Sequence, residues 1–174
     1  MKDQRGLLAM VDGTIAPMDP PEVFELLWAF LQLAPSIHAQ TDDSNGAIGD
    51  VMAETVELIA RLMPRLSPDP DALAQRILEA VVHADPGEFD GIIPATAEAL
   101  GPRGLDHLKA MMNAWADQLP TAQEMEAYCG FGQSLSPTES VRRSKDTTRS
   151  VILADIAYAQ GDVDAYMARI RPRS

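Results

Sequence analysis

Cysteine is all but absent from this chain: Cys129 is the single one in 174 residues. No disulfide framework can therefore be built, and the default expectation is a cytoplasmic address. Long apolar runs are missing too. The best candidate, Phe24 to Leu33, contains Glu25 and falls short of the roughly eighteen uninterrupted apolar residues a membrane span requires. Near the N-terminus, Leu7-Leu8-Ala9-Met10-Val11 is closed by Asp12, which leaves no room for the apolar region and cleavage site of a signal peptide. No stretch alternates apolar and polar residues for a useful length, so strands are not expected. Bases are scarce where acids are dense. Residues 1–100 hold 17 Asp and Glu against 5 Lys and Arg, which accounts for the whole net charge of −12, whereas residues 101–174 hold 9 of each. A phosphate backbone would be repelled by that first part, so neither nucleic acid nor membrane is expected as a partner. The one basic cluster, Arg142-Arg143-Lys145-Arg149, reads as a solvated helix face.

What the chain does contain is helix punctuation. Asp19-Pro20-Pro21 through Pro35, Asp69-Pro70 through Pro86 and Gly101-Pro102 through Pro120 each begin on a cap-and-proline pair and end near another proline. In the first, Asp19 and Glu22 form a D-x-x-E arrangement resembling a capping box. The interior from Val23 to Leu33 is apolar nearly all round, which predicts a helix surrounded by others. A long helix is expected from about Ala47 to Arg65, with Pro64 near its end, and another from Asp69 with Leu73, Ile77, Leu78, Val81 and Val82 on one face. Phe89 to Leu100 and Pro102 to Gln118 follow, joined so tightly at Gly101 that a helical hairpin is implied. The region from Thr121 to Ser136 is poorly specified. Helical pattern returns from Thr138 to Gln160, where Gly161-Asp162 stops one helix and caps the next, Val163 to Ile170. The expected fold is all-α: an irregular array of helical hairpins, solenoid-like or an orthogonal bundle, of about seven to nine helices. It should form a single domain over 1–174, with 119–137 as the place where it could subdivide.

Chemistry is thinly supported. In the loop from Thr41, the residues Asp43, Asn45, Gly46 and Ile48 fall on the third, fifth, sixth and eighth positions of a calcium-binding loop. Thr41 stands where a carboxylate is needed first, and Met52 where a bidentate Glu should close the shell. Helix capping explains the same residues without metal, and Asp42, Asp43 and Asn45 are left as the only metal candidates. His38, His83 and His107 lie on separate elements with no second ligand at metal spacing. Cys129 has no evident His partner to activate it. Gly101-Pro102-Arg103-Gly104 lacks the strand and lysine of a phosphate loop. Met111, Met112 and Trp115 could line a peptide groove but read first as core. No catalytic residue and no cofactor is implied.

A tetratricopeptide register anchored on Gly161 places Leu153 and Ala154 correctly but puts Tyr166 where a small residue belongs, and no copy recurs at the 34-residue period. A more specific likeness lies in Leu26-Leu27-Trp28-Ala29-Phe30-Leu31, Ala34-Pro35-Ser36, Asp42-Asp43-Ser44-Asn45-Gly46, Gly49-Asp50-Val51, Phe89-Asp90-Gly91-Ile92-Ile93-Pro94, Ala99 through Leu105 and Gly161-Asp162-Val163-Asp164-Ala165-Tyr166. Through these residues the chain resembles a bacterial family of uncharacterised, mostly helical proteins over most of residues 7 to 170. The resemblance implies helical-repeat architecture, with longer members carrying tetratricopeptide-like helices ahead of this segment. It assigns no catalytic residues.

If a helical array is entered midway, its first helix lacks a neighbour. Leu7, Leu8, Val11 and Ile15 form one helical stripe and are therefore the expected interaction surface, for a homodimer or for another protein partner. The leading expectation is a non-catalytic interaction or scaffold module. The alternative is an enzyme or a small-ligand or metal-binding protein, with a site near the Thr41–Gly49 loop assembled from Asp42, Asp43 and His38 or His107.

Overall fold

The computed structural model of the chain describes residues 19–33, 47–84, 88–128 and 135–170. Seven α-helices and one 3-10 turn are found among them, and no strand: α1 (Pro20–Leu31), α2 (Ala47–Leu62), the turn Met63–Arg65, α3 (Pro70–His83), α4 (Ile92–Ala116), α5 (Ala122–Glu126), α6 (Pro137–Gln160) and α7 (Val163–Ile170). The all-α reading holds.

Local chemistry explains where each helix starts. Asp19 and Asp69 both take extended backbone ahead of a proline, so that a residue without an N–H fills the first turn, where that donor would be idle. Asp69 also caps with its side chain, Oδ1 accepting from the N–H groups of Asp71 (3.0 Å) and Ala72 (2.9 Å). Asp19 makes no such bond, so the box expected with Glu22 is not formed. Full capping boxes occur instead at Thr121/Glu124 and Ser136/Glu139, opening α5 and α6. The first of these gives a short helix to a region whose sequence looked unspecified. Gly161 closes α6 in the left-handed conformation (φ 70°), with the Asp162 N–H donating to Ala157 and the Gly161 N–H to Tyr158. The Asp162 carboxylate then accepts from the Ala165 N–H at 2.9 Å and starts α7.

Gly101 is the break expected between two helical stretches. It is the single residue outside helical geometry in α4 (φ 56°, ψ −175°), and Pro102 begins the second half at once. The outcome is two helical halves of α4 that meet at a kink, made possible by a glycine at positive φ and a proline that withholds its N–H. Beyond the kink, Gly104 lets α4 approach the start of α3. A Cβ there would stand 3.0 Å from the Pro70 carbonyl oxygen and 3.0 Å from Leu100 Cδ2.

One cluster of buried apolar side chains draws on α1, α2, the 3-10 turn, α3, α4 and α6. From α1 it takes Val23, Phe24, Leu27, Trp28 and Leu31, the i, i+1, i+4, i+5, i+8 stripe of an amphipathic helix. Leu26 in α1 and Leu33 just beyond it are 54% and 53% exposed, so among the described residues one side of α1 is left open where a surrounded helix was expected. They share the outer row with Glu22 and Ala29, and a row at that spacing turns away from the buried stripe. Trp28 sits at the centre of the cluster, 1% exposed, with Phe24 and Phe89 tilted against it at 5.6 and 5.9 Å between ring centroids.

Candidate docking cleft

Where α1 passes the 3-10 turn and the start of α3, the surface opens into a cleft of about 310 Å³. Its position follows from punctuation. Pro64 ends α2 in a 3-10 turn, the extended residue Leu66 carries the chain to Asp69, and Pro70 restarts the helix. Leu66, Ser67, Pro68 and Asp69, between the two helices, line the cleft instead of adding a further helical turn over it. Phe24, Met63, Leu66 and Leu73 supply the apolar lining, Pro21 and Pro68 stand beside them, and the charged groups are Glu25, Asp69 and Arg76.

Arg76 organises the wall. Nη1 and Nη2 donate to Glu25 Oε1 and Oε2 at 2.6 and 2.7 Å, a two-pronged pair across 51 residues of sequence. The same guanidinium lies 4.7 Å from the Trp28 ring centroid and 5.1 Å from that of Phe24. The hydrogen bonds from Arg76, aided by its charge, hold the Glu25 carboxyl below the ordinary glutamate range against a smaller opposing effect of burial.

A second polar constellation is built on α4, α5 and α6. Lys145 on α6 is 3% exposed, which overturns its assignment to a solvated basic face. Its Nζ meets Glu124 Oε1 at 2.9 Å and stands 5.3 Å from the Trp115 ring centroid. The Glu124 carboxyl is pulled down chiefly by the Thr121 N–H and then by Lys145. One cation thus joins α4, α5 and α6. Near the start of α3, Asp71 pairs with Arg103 and lies 3.9 Å from His107 Nδ1, on an exposed surface.

The residues singled out from sequence are distributed unevenly. Leu7, Leu8, Val11, Ile15, His38, Asp42, Asp43, Asn45 and Cys129 lie outside the described residues. His83 and His107 sit on α3 and α4, and among the described residues no group of three or more His, Cys, Asp or Glu is placed to hold a metal ion. Met112 is fully buried, as core packing requires, while Met111 and Trp115 are half-buried. Among the described residues no helix is long and apolar enough to cross a membrane. The cleft was missed by sequence reasoning. Its one available signal was the Met63-Pro64 and Pro68-Asp69-Pro70 pairing of stops, which marks an interruption without saying what faces it.

Fold and cleft together define an all-helical protein with an apolar surface cleft edged by charge. By sequence the chain belongs to a family of unknown function, DUF6880, whose model matches residues 1–174. No curated protein and no solved structure matches it.

Proposed function

We propose that the chain is a protein-protein interaction module without chemistry of its own, and that the cleft between α1, the 3-10 turn and α3 is its docking surface. The observation that carries this reading is the state of the cleft's charged groups. Arg76 and Glu25 satisfy each other through two short hydrogen bonds, and Asp69 caps α3 with Oδ1 alone, so the single base among the lining residues is engaged in holding the cleft's walls. Of the apolar lining, Phe24, Met63 and Leu73 are buried in the core and form the floor, while Leu66 is half-buried and offers most of the open apolar surface. Exposed apolar concavity with a polar edge is how helical proteins receive a side chain or a segment of a partner.

A photo-crosslinking amino acid at Ala72, an exposed lining position, tests this in the full chain. The expected result is a stoichiometric crosslink to a protein partner or a second copy. Leu66→Asp should abolish it while leaving the circular dichroism spectrum unchanged. A folded protein that yields only crosslinks insensitive to Leu66→Asp, or none, overturns the reading.

A further inference from the structure

The charge around the cleft selects among guests. Three charged side chains line it, two acidic and one basic, and the base is already committed. Arg76 is forked onto Glu25 at 2.6 and 2.7 Å and stacked on Trp28. A guest carboxylate could reach that guanidinium only by displacing Glu25, which would leave a second carboxylate unpaired beside it. Asp69 is differently placed. Both backbone donors it accepts, from Asp71 and Ala72, bind the same oxygen, Oδ1. Among the described residues no ion pair engages Asp69, although its charge is felt by Arg103. Adjacent in sequence to the lining residues Pro21 and Leu66 are the exposed Glu22 and Arg65, with the exposed Asp19 one residue further out, so the flanking charge is also two acidic to one basic. The chain as a whole carries a net charge of −12, which favours a cationic guest over an anionic one.

We propose that the cleft takes a basic segment of a partner protein: an aliphatic or aromatic side chain seated among Phe24, Met63, Leu66 and Leu73, with lysine or arginine beside it facing Asp69. This rests on the docking reading given above and adds the chemistry of the guest. The apolar anchor supplies affinity through burial. The acidic edge steers a cationic segment toward it and disfavours anionic ones, so charge sets partner choice and association rate more than total affinity.

Three labelled peptides that share a central leucine, flanked by lysine and arginine, by glutamate, or by serine and glutamine, test this by fluorescence anisotropy on the full chain. The basic peptide should bind at least about tenfold more tightly than either of the others, and less tightly as salt is raised. Leu66→Asp should abolish that binding. Asp69→Asn should weaken it about threefold to tenfold by removing a rim charge. It should leave the melting temperature unchanged, because asparagine caps a helix as well as aspartate does. Acidic or neutral peptides that bind as well as the basic one, and lose binding with Leu66→Asp, overturn the basic guest while leaving the docking cleft standing. Basic-peptide binding indifferent to Leu66→Asp shows surface charge alone and also overturns it. Absence of binding by all three overturns the inference, and the crosslink from Ala72 then decides the docking reading separately.

Discussion

The Arg76 guanidinium lies 4.7 Å from the centroid of the Trp28 ring, so the most deeply placed aromatic of the core is covered on one side by a charged group that is itself partly in water. The relationship joins α3 to α1 in two ways. Stacking on Trp28 and Phe24 uses the planarity of the guanidinium, and the forked bond to Glu25 uses its spread of donors. Only the first is sheltered, because the Glu25 side chain is 62% exposed and an ion pair at such exposure contributes little.

That division gives an ordered mutant series. Glu25→Gln should cost no more than about 0.5 kcal/mol, in the range of exposed pairs. Arg76→Lys keeps the charge but loses both fork and stack, and should cost about 1 kcal/mol. Arg76→Ala also uncovers the ring faces and should cost about 2 kcal/mol. Urea unfolding followed by circular dichroism measures all three. A lysine variant as stable as the parent would show that stacking contributes nothing.

Two helical glycines should respond to alanine with opposite signs. Gly49, in the first turns of α2, has nothing within 4 Å of where a Cβ would stand, so Gly49→Ala should stabilise by up to about 1 kcal/mol through backbone entropy. Gly104→Ala gains the same entropy but drives a methyl to 3.0 Å from the Pro70 carbonyl, a backbone atom of the adjoining helix start. Overpacking of that kind should win, with a net loss of about 1 to 3 kcal/mol. Thermal melts of the two variants against the parent decide it, and Gly104→Ala melting higher would mean that α3 can slide away at no cost.

The punctuation was legible because it acts locally. A cap and a proline settle their own helix turn, so the starts at Asp19, Asp69 and Pro102, and the stop at Gly161, could be read from neighbours in sequence. What escaped was decided by residues far apart. Lys145 is buried because Glu124 and Trp115, 21 and 30 positions earlier, come to meet it. Arg76 finds its partner across 51 residues, and the cleft beside it exists only once α1 and α3 lie together. The break at Gly101, by contrast, was marked by its own glycine and proline, and helix stands on both sides of it. The apolar stripe of Leu7, Leu8, Val11 and Ile15 and the loop carrying Asp42, Asp43 and Asn45 lie outside the described residues, so their roles rest on sequence pattern.

The Glu124–Lys145 pair should be asymmetric. Lys145 is 4% exposed in its side chain and Glu124 33%, so removing the acid strands a buried cation, whereas removing the base leaves a carboxylate that water and Thr121 still serve. Glu124→Gln should therefore cost about 2 kcal/mol or more, and Lys145→Met less than about 1 kcal/mol. The pH dependence has a definite sign. Because the folded state holds Glu124 below its ordinary 4.5, its contribution is fully present above that value and is lost as the pH falls through the lower folded-state pKa. Hydrogen exchange in α5 should accelerate in that acidic range in the parent and show no such step in Glu124→Gln.

Asp155 should behave in the opposite sense. It is half-buried on α6, and its carboxyl is pushed above the ordinary 3.8, first by burial and then by the negative charge of Asp90. A carboxylate whose folded pKa is raised opposes folding once it ionises. The penalty is absent below 3.8, where both states are protonated, and is fully present above the raised folded-state pKa, including at neutral pH. Asp155→Asn removes the charge and keeps the shape, so it should stabilise the protein at neutral pH by about 0.5 to 1 kcal/mol, discounted for the water that still reaches the site. Asp90→Asn should act in the same direction and more weakly, since the like charge is the smaller cause. Urea unfolding of both variants at neutral pH and below 3.8 gives the readout. The advantage of Asp155→Asn should vanish in acid, and a gain that persists there would trace to packing, leaving ionisation without a role.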